Sequence, residues 1–325
     1  MMTKNIALAL CCLLSAVTAA SALAEPSVLT EAWPPEIRAY LIETGLTEDN
    51  PATSPTDAAV DPSQPCAGVS FSRGLKYGES DLNVLDVATG DPRDSSPRPV
   101  LMFVAGESFA GESGTSDTAD AVQDQAMCFA ARHGMVGVKV NYRLAPTNQW
   151  PAGTRDVAAA TSWIHQNIDL FGGSRDEIVA VGYSVGAFHV ASFLAHPEFR
   201  ERDSDVAAAV LVSGIYHSSA DAGAAEKSYF GTDAGKYDER SAFPGILNID
   251  TPILLAWSAL DPPGLIAQGQ LLKERLCNSR THCPHTTVLR SRNGLASVVE
   301  PDAASRSLAE PTLELVREIE ARELP

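Results

Sequence analysis

Between Cys66 and the C-terminus the chain alternates short β-branched runs with alanine-rich stretches of helical period, and few folds accommodate that order. The runs are Leu82–Val87, Pro99–Val104, Met135–Asn141, Glu177–Tyr183, Ala207–Gly214, Pro252–Trp257 and Thr286–Arg290. Between most of them lie Asp120–His133, Thr154–Ile168, Val185–His196, Leu265–Leu276 and Ala309–Arg322. A strand that reads as a continuous apolar run is buried on both faces, and the intervening helices supply the cover. The expectation is an α/β fold with a mostly parallel central sheet and helices on both faces, in one domain over 66–325. Ser218–Ser241, rich in Gly, Ala and Asp, is expected to be a flexible loop bordering any cleft.

Gly182-Tyr183-Ser184-Val185-Gly186 follows the apolar run Ile178–Val181 and opens the helical stretch beginning at Val185. A serine forced into a tight strand-to-helix turn needs small residues two before and two after it, because the two backbones approach closely there. The turn lifts the hydroxyl to the C-terminal edge of the sheet. The helix N-terminus then aims its amides at charge forming beside it, which makes the Val185 N–H an oxyanion donor. Asp261 lies just past another apolar run, at the same sheet edge, and comes after Ser184 in the chain. A carboxylate there orients an imidazole, or else caps the helix that follows.

Around this serine the chain resembles the esterases of the α/β-hydrolase fold, close to the hormone-sensitive-lipase and feruloyl-esterase-like carboxylesterases. The resemblance runs from about Tyr77 to the C-terminus. It is carried by Val140-Asn141-Tyr142-Arg143-Leu144-Ala145-Pro146, then Pro151-Ala152, Asp156, Trp163, Asn167 and Phe171-Gly172-Gly173, ending in the Ser184 turn. Tyr77-Gly78 and Leu85-Asp86-Val87 are similar to the family's entry strands, and Asp261-Pro262-Pro263 to its triad-acid turn. The resemblance implies the α/β-hydrolase fold, with Ser184 as nucleophile and Asp261 as acid.

Two departures weigh against a standard triad. Where relatives carry a His-Gly-Gly-type oxyanion loop, this chain has Ala105-Gly106-Glu107-Ser108-Phe109. The Glu107 N–H serves as the second oxyanion donor if its carboxylate turns to solvent. The family's histidine turn matches Ser291–Ala296, with Arg292 and Gly294 at the histidine positions, and no histidine follows His285. Arginine stays protonated and accepts no proton from a serine. His217 alone follows a strand on the Ser184 rim, so it is the base if there is one; its alternative is a loop histidine at a cap entrance.

Met1–Ala24 has the shape of a cleavable secretory signal, with Lys4, an apolar run over Ile6–Val17 and Ala22-Leu23-Ala24 before the cut. Residues 25–65 read as an extension, with a short amphipathic piece at Pro35–Glu43 and a Thr/Asp/Pro-rich linker from Thr47 to Pro65. Export to a periplasmic or extracellular space makes the four remaining cysteines disulfide formers. Cys277 and Cys283 enclose a short loop and close most easily; Cys66 and Cys128 are then either the second pair or two buried free thiols. In relatives, cysteines often fall at the positions of Cys277 and Cys283.

The formal charge of −17 leaves no basic face for nucleic acid or an anionic membrane. No dinucleotide loop, P-loop lysine or metal-spaced histidine pair occurs, so no cofactor or metal is expected. The partner is a small molecule. The sequence supports an exported carboxylic-ester hydrolase with an unusual base. The alternative is an impaired relative that binds a small apolar or aromatic ligand in the old cleft. A lyase or acyl-transfer enzyme reusing Ser184 and Glu107 is a weaker third reading.

Overall fold

A computed structural model describes residues 66–91, 96–104, 106, 109–110, 117–200, 205–279, 283–289 and 308–323. The signal sequence, the 25–65 extension, Glu107 and the 291–296 turn lie outside the described residues. Eight strands form one sheet: β1 (Val69–Lys76), β2 (Val84–Gly90), β3 (Arg98–Val104), β4 (Val136–Val140), β5 (Gly173–Tyr183), β6 (Ala208–Val212), β7 (Ile253–Ser258) and β8 (His285–Leu289). Their order is β1-β2-β4-β3-β5-β6-β7-β8. The β1–β2 and β2–β4 pairs are antiparallel, and every pair from β4 to β8 is parallel. All residues of β4, β6 and β7 are buried; β6 is an unbroken apolar run and β7 is one up to its final Ser258, whereas β4 buries Lys139, which pairs with Asp86 at 3.2 Å.

The main helices are α1 (Asp117–Arg132), α2 (Ala152–Asn167), α3 (Val185–Ala195), α4 (Ala224–Phe230), α5 (Tyr237–Arg240), α6 (Pro263–Ser279) and α7 (Ala309–Glu323). On one face Met127, Phe129 and Ala130 of α1 and Leu315, Val316 and Ile319 of α7 join the strand side chains in one core. Every residue of α3 is buried, so this helix has no solvent face. A helix that is apolar all round belongs in the interior, and its Ala and Phe content fits that place.

The segment 218–241 departs from the flexible loop expected of it. It contains α4 and α5, and Tyr229, Phe230 and Tyr237 are buried. Those aromatics pack with Phe109, Val185 and Phe188 into a second core beside the Ser184 turn. Burial of large aromatic side chains, which dominate core energetics, overrode the local Gly and Asp content.

Two disulfides are formed, Cys66–Cys128 and Cys277–Cys283. The first fastens the chain just before β1 to α1; the second joins the C-terminal part of α6 to the approach to β8.

Candidate active site

Ser184 alone makes the turn between β5 and α3, with φ 53° and ψ −120°. A serine held at positive φ costs on the order of 1–3 kcal/mol, and such strain persists only where the surrounding structure enforces it. Gly182 shows the enforcement: a Cβ there would lie 2.6 Å from the Ala187 Cα and 2.7 Å from the Gly186 carbonyl oxygen. Any side chain at 182 would force strand and helix apart. The Ser184 carbonyl accepts from the N–H groups of Ala187 (3.0 Å) and Phe188 (3.3 Å). The side chain makes no capping hydrogen bond, so the hydroxyl is not spent on the helix end.

The Val185 N–H opens α3, where the unpaired amides of the first turn favour negative charge. The loop after β3 reaches this turn through Gly106. A Cβ on Gly106 would fall 2.9 Å from the Gly186 nitrogen and 3.1 Å from the Val185 Cβ. Sequence reasoning weighed Glu107 in this loop and passed over Gly106. The signal was present, since Gly106 keeps one glycine of the family's loop where Ala105 and Glu107 depart from it.

Asp261 is buried, 8% exposed, just past the end of β7. Its Oδ2 accepts from the Ser213 hydroxyl at 2.6 Å and from the Ser258 N–H at 2.8 Å. Burial pushes its carboxyl above the ordinary value, against the lowering effect of those two bonds. Ser213 is the other non-glycine residue at positive φ among the described residues (50°). It follows β6 as Ser184 follows β5. The Ser184 N–H donates to the Val212 carbonyl and the Ser213 N–H to the Ala256 carbonyl, both at 2.9 Å. The two strained serines therefore stand side by side on adjacent strands, at the rim where the sheet's loops carry chemistry. Nothing in the sequence singled out Ser213.

His217 also follows β6, as expected. Its Nε2 bonds Asp238 at 2.9 Å, and its side chain is about a third exposed. Gln268 of α6 holds its main chain, accepting from the N–H groups of Tyr216 and His217 and donating to the His217 carbonyl. Among the described contacts none joins His217 to Ser184 or to Asp261. The structure thus brings Gly106 to Val185 and Ser213 to Asp261, and leaves His217 on another partner.

The family model described as the carboxylesterase family matches residues 50–235. Esterase LipC of Mycobacterium tuberculosis (strain ATCC 25618 / H37Rv) is 31% identical over 154 residues, which are 44% of this chain and 36% of that protein. Phenmedipham hydrolase of Pseudarthrobacter oxydans is 33% identical over 118 residues, 33% of this chain and 22% of its own. The matched stretch therefore spans well under half the length of either curated relative. Among solved structures, esterase B from Lactobacillus rhamnosis superposes with a TM-score of 0.65 at 15% identity, covering 90% of this chain and 95% of that one. A bacterial heroin esterase gives 0.59 at 21% identity, covering 89% and 98%. The fold these neighbours share with the chain is the α/β-hydrolase fold.

Proposed function

The chain belongs to the carboxylesterase family, and from that premise we propose that it is an exported carboxylic-ester hydrolase with Ser184 as its nucleophile. The single observation that carries the reading is the Ser184 turn, whose strain is maintained while its hydroxyl is kept off the helix cap. The Tyr142–Pro146 segment favours the hormone-sensitive-lipase-like branch. Two disulfides fit an oxidising destination for residues 66–325 after loss of the leader.

In the reaction the Ser184 oxygen bonds to the acyl carbon and the carbonyl oxygen takes up negative charge. The Val185 N–H and the loop at Gly106 face that charge, a placement that is worth most when it is preorganised. The alcohol then leaves with a proton, and water releases the acid from the acyl-enzyme. The proton from Ser184 needs an acceptor. His217 is the histidine after a strand on this rim, and serving Ser184 requires it to leave Asp238. Asp261 is the carboxylate that stabilises the charged base.

One observation favours the second reading, a ligand-binding relative without catalysis: the partner of Asp261 is the Ser213 hydroxyl, not an imidazole. A fluorophosphonate probe with short p-nitrophenyl esters separates the two. Labelling and turnover that vanish in Ser184→Ala support the hydrolase. No Ser184-dependent adduct in the wild type would sink it. Loss of turnover in His217→Ala, with labelling slowed in step, is expected if that ring is the base.

A further inference from the structure

Every main-chain polar group from the Tyr216 N–H to the Ser218 N–H has a partner. The N–H groups of Tyr216 and His217 both donate to Gln268 Oε1 at 3.0 Å, and the His217 carbonyl accepts from Gln268 Nε2 at 2.7 Å. The Tyr216 carbonyl accepts from the Ala242 N–H at 3.0 Å, and the Ser218 N–H donates to the Ser241 hydroxyl at 2.9 Å. Gln268 alone thus serves both main-chain groups of His217. Two converging N–H groups require the amide oxygen and the carbonyl requires the NH2, so the pattern fixes which way round this amide lies. A half-buried glutamine that commits both ends of its side chain gives up rotamer freedom, and packing alone would not call for that.

The position of Gln268 joins two parts of the site. It stands on α6, which begins at Pro263, two residues after Asp261. One stretch of chain therefore carries the acid and the clamp. The loop it clamps is tied to that acid at its other end, through the Ser213 hydroxyl. In between, a Cβ on Gly214 would lie 2.8 Å from both the Ala187 Cβ and the Tyr216 ring, so the loop is pressed against α3. The backbone under His217 is held on both sides, while its ring is partly exposed and bonds Asp238 on α5.

We propose that Gln268 is a positioning residue for the Ser184 reaction: its three hydrogen bonds fix the main chain of His217, so that the ring passes between Asp238 and the Ser184 turn by side-chain rotation alone. The inference rests on the hydrolase reading with His217 as base. A general base has to come within hydrogen-bond reach of the proton it takes, and a backbone free to drift spoils that reach. The effect of Gln268 on turnover therefore runs through the His217 ring, which a merely structural contact would not require.

The test is Gln268→Leu in the full-length protein, alone and combined with His217→Ala, assayed at 25 °C with p-nitrophenyl butyrate. The single variant should lose roughly tenfold to a hundredfold in kcat with KM within about twofold, the usual cost of a misplaced catalytic group. Amide hydrogen exchange in the peptide spanning 214–218 should quicken, because two of its N–H groups lose their acceptor. In the His217→Ala background the same substitution should cost less than about twofold, since the group it positions is gone. An unchanged kcat in Gln268→Leu overturns the proposal. So does a full additional loss in the His217→Ala background, which would mark Gln268 as structural. Ser184-dependent turnover that survives His217→Ala would remove the base and the role of Gln268 with it, leaving the hydrolase reading in place. No Ser184-dependent turnover in the wild type would sink the hydrolase reading itself.

Discussion

The Ser213 hydroxyl donates to Asp261 Oδ2 across 2.6 Å, so the site's buried carboxylate is held by a serine from the neighbouring strand. Burial nevertheless raises this carboxyl, and the folded state holds its proton more tightly than the unfolded chain does. The stability contribution of the neutral acid is complete below the ordinary carboxylate pKa and is lost as pH rises through the folded-state value. Asp261→Asn removes the titration and keeps an acceptor for Ser213 and Ser258. Thermal melts should show the variant gaining on wild type at pH 8 and losing that gain near pH 3. A variant less stable than wild type at pH 8 would mean that the two hydrogen bonds outweigh desolvation.

Gly106→Ala should reduce esterase turnover by roughly two orders of magnitude, the usual effect of losing one oxyanion donor. The added Cβ meets backbone at Gly186, which cannot rotate away, so the loop must lift from the turn. Global stability should change little, and single-turnover acylation kinetics would locate the defect in acylation.

His189 is buried in α3, and burial pushes its pKa down to about 3. Below its ordinary value the unfolded ring takes a proton that the folded ring refuses, so stability falls as pH drops from about 6.5. This ring alone accounts for roughly 2 kcal/mol between pH 7 and pH 5. His189→Gln should flatten the acid side of the stability profile in urea titrations at those two pH values.

Much of the fold was legible because the buried parallel strands are mostly apolar, with Lys139 of β4 the charged interruption held by Asp86. The exceptions have physical causes. β1 is an edge strand with alternating exposure, and its VSFSRGLK sequence lacks an apolar run. Its Arg73 is held by Asp86 and Asp124, partners 13 and 51 residues away that no local pattern reveals. Ser184, Val185 and Asp261 were legible because each sits at a strand end beside a helix start. Ser213 was not, since its partner Asp261 is 48 residues distant.

The two disulfides should differ in thermodynamic weight. Their cysteines are 62 and 6 residues apart, for which the chain-entropy relation gives about 4 and about 2 kcal/mol. Cys66→Ser should therefore lower the melting temperature more than Cys277→Ser, by on the order of 5 °C in calorimetry. Equal losses would show that loop length is not what separates them.

The Cys66–Cys128 bond also decides where a mechanical load would go. Strand β1 begins three residues after Cys66 and lies at the sheet's edge, paired only with β2. A pull on the chain ahead of Cys66 would otherwise be carried along β1 and strain its ladder with β2. The sulfur bridge diverts the tension into α1, a 16-residue helix packed against β4 and β2. The edge strand is thereby taken out of the load path, and a pull arriving at Cys66 reaches the interior instead of peeling the edge.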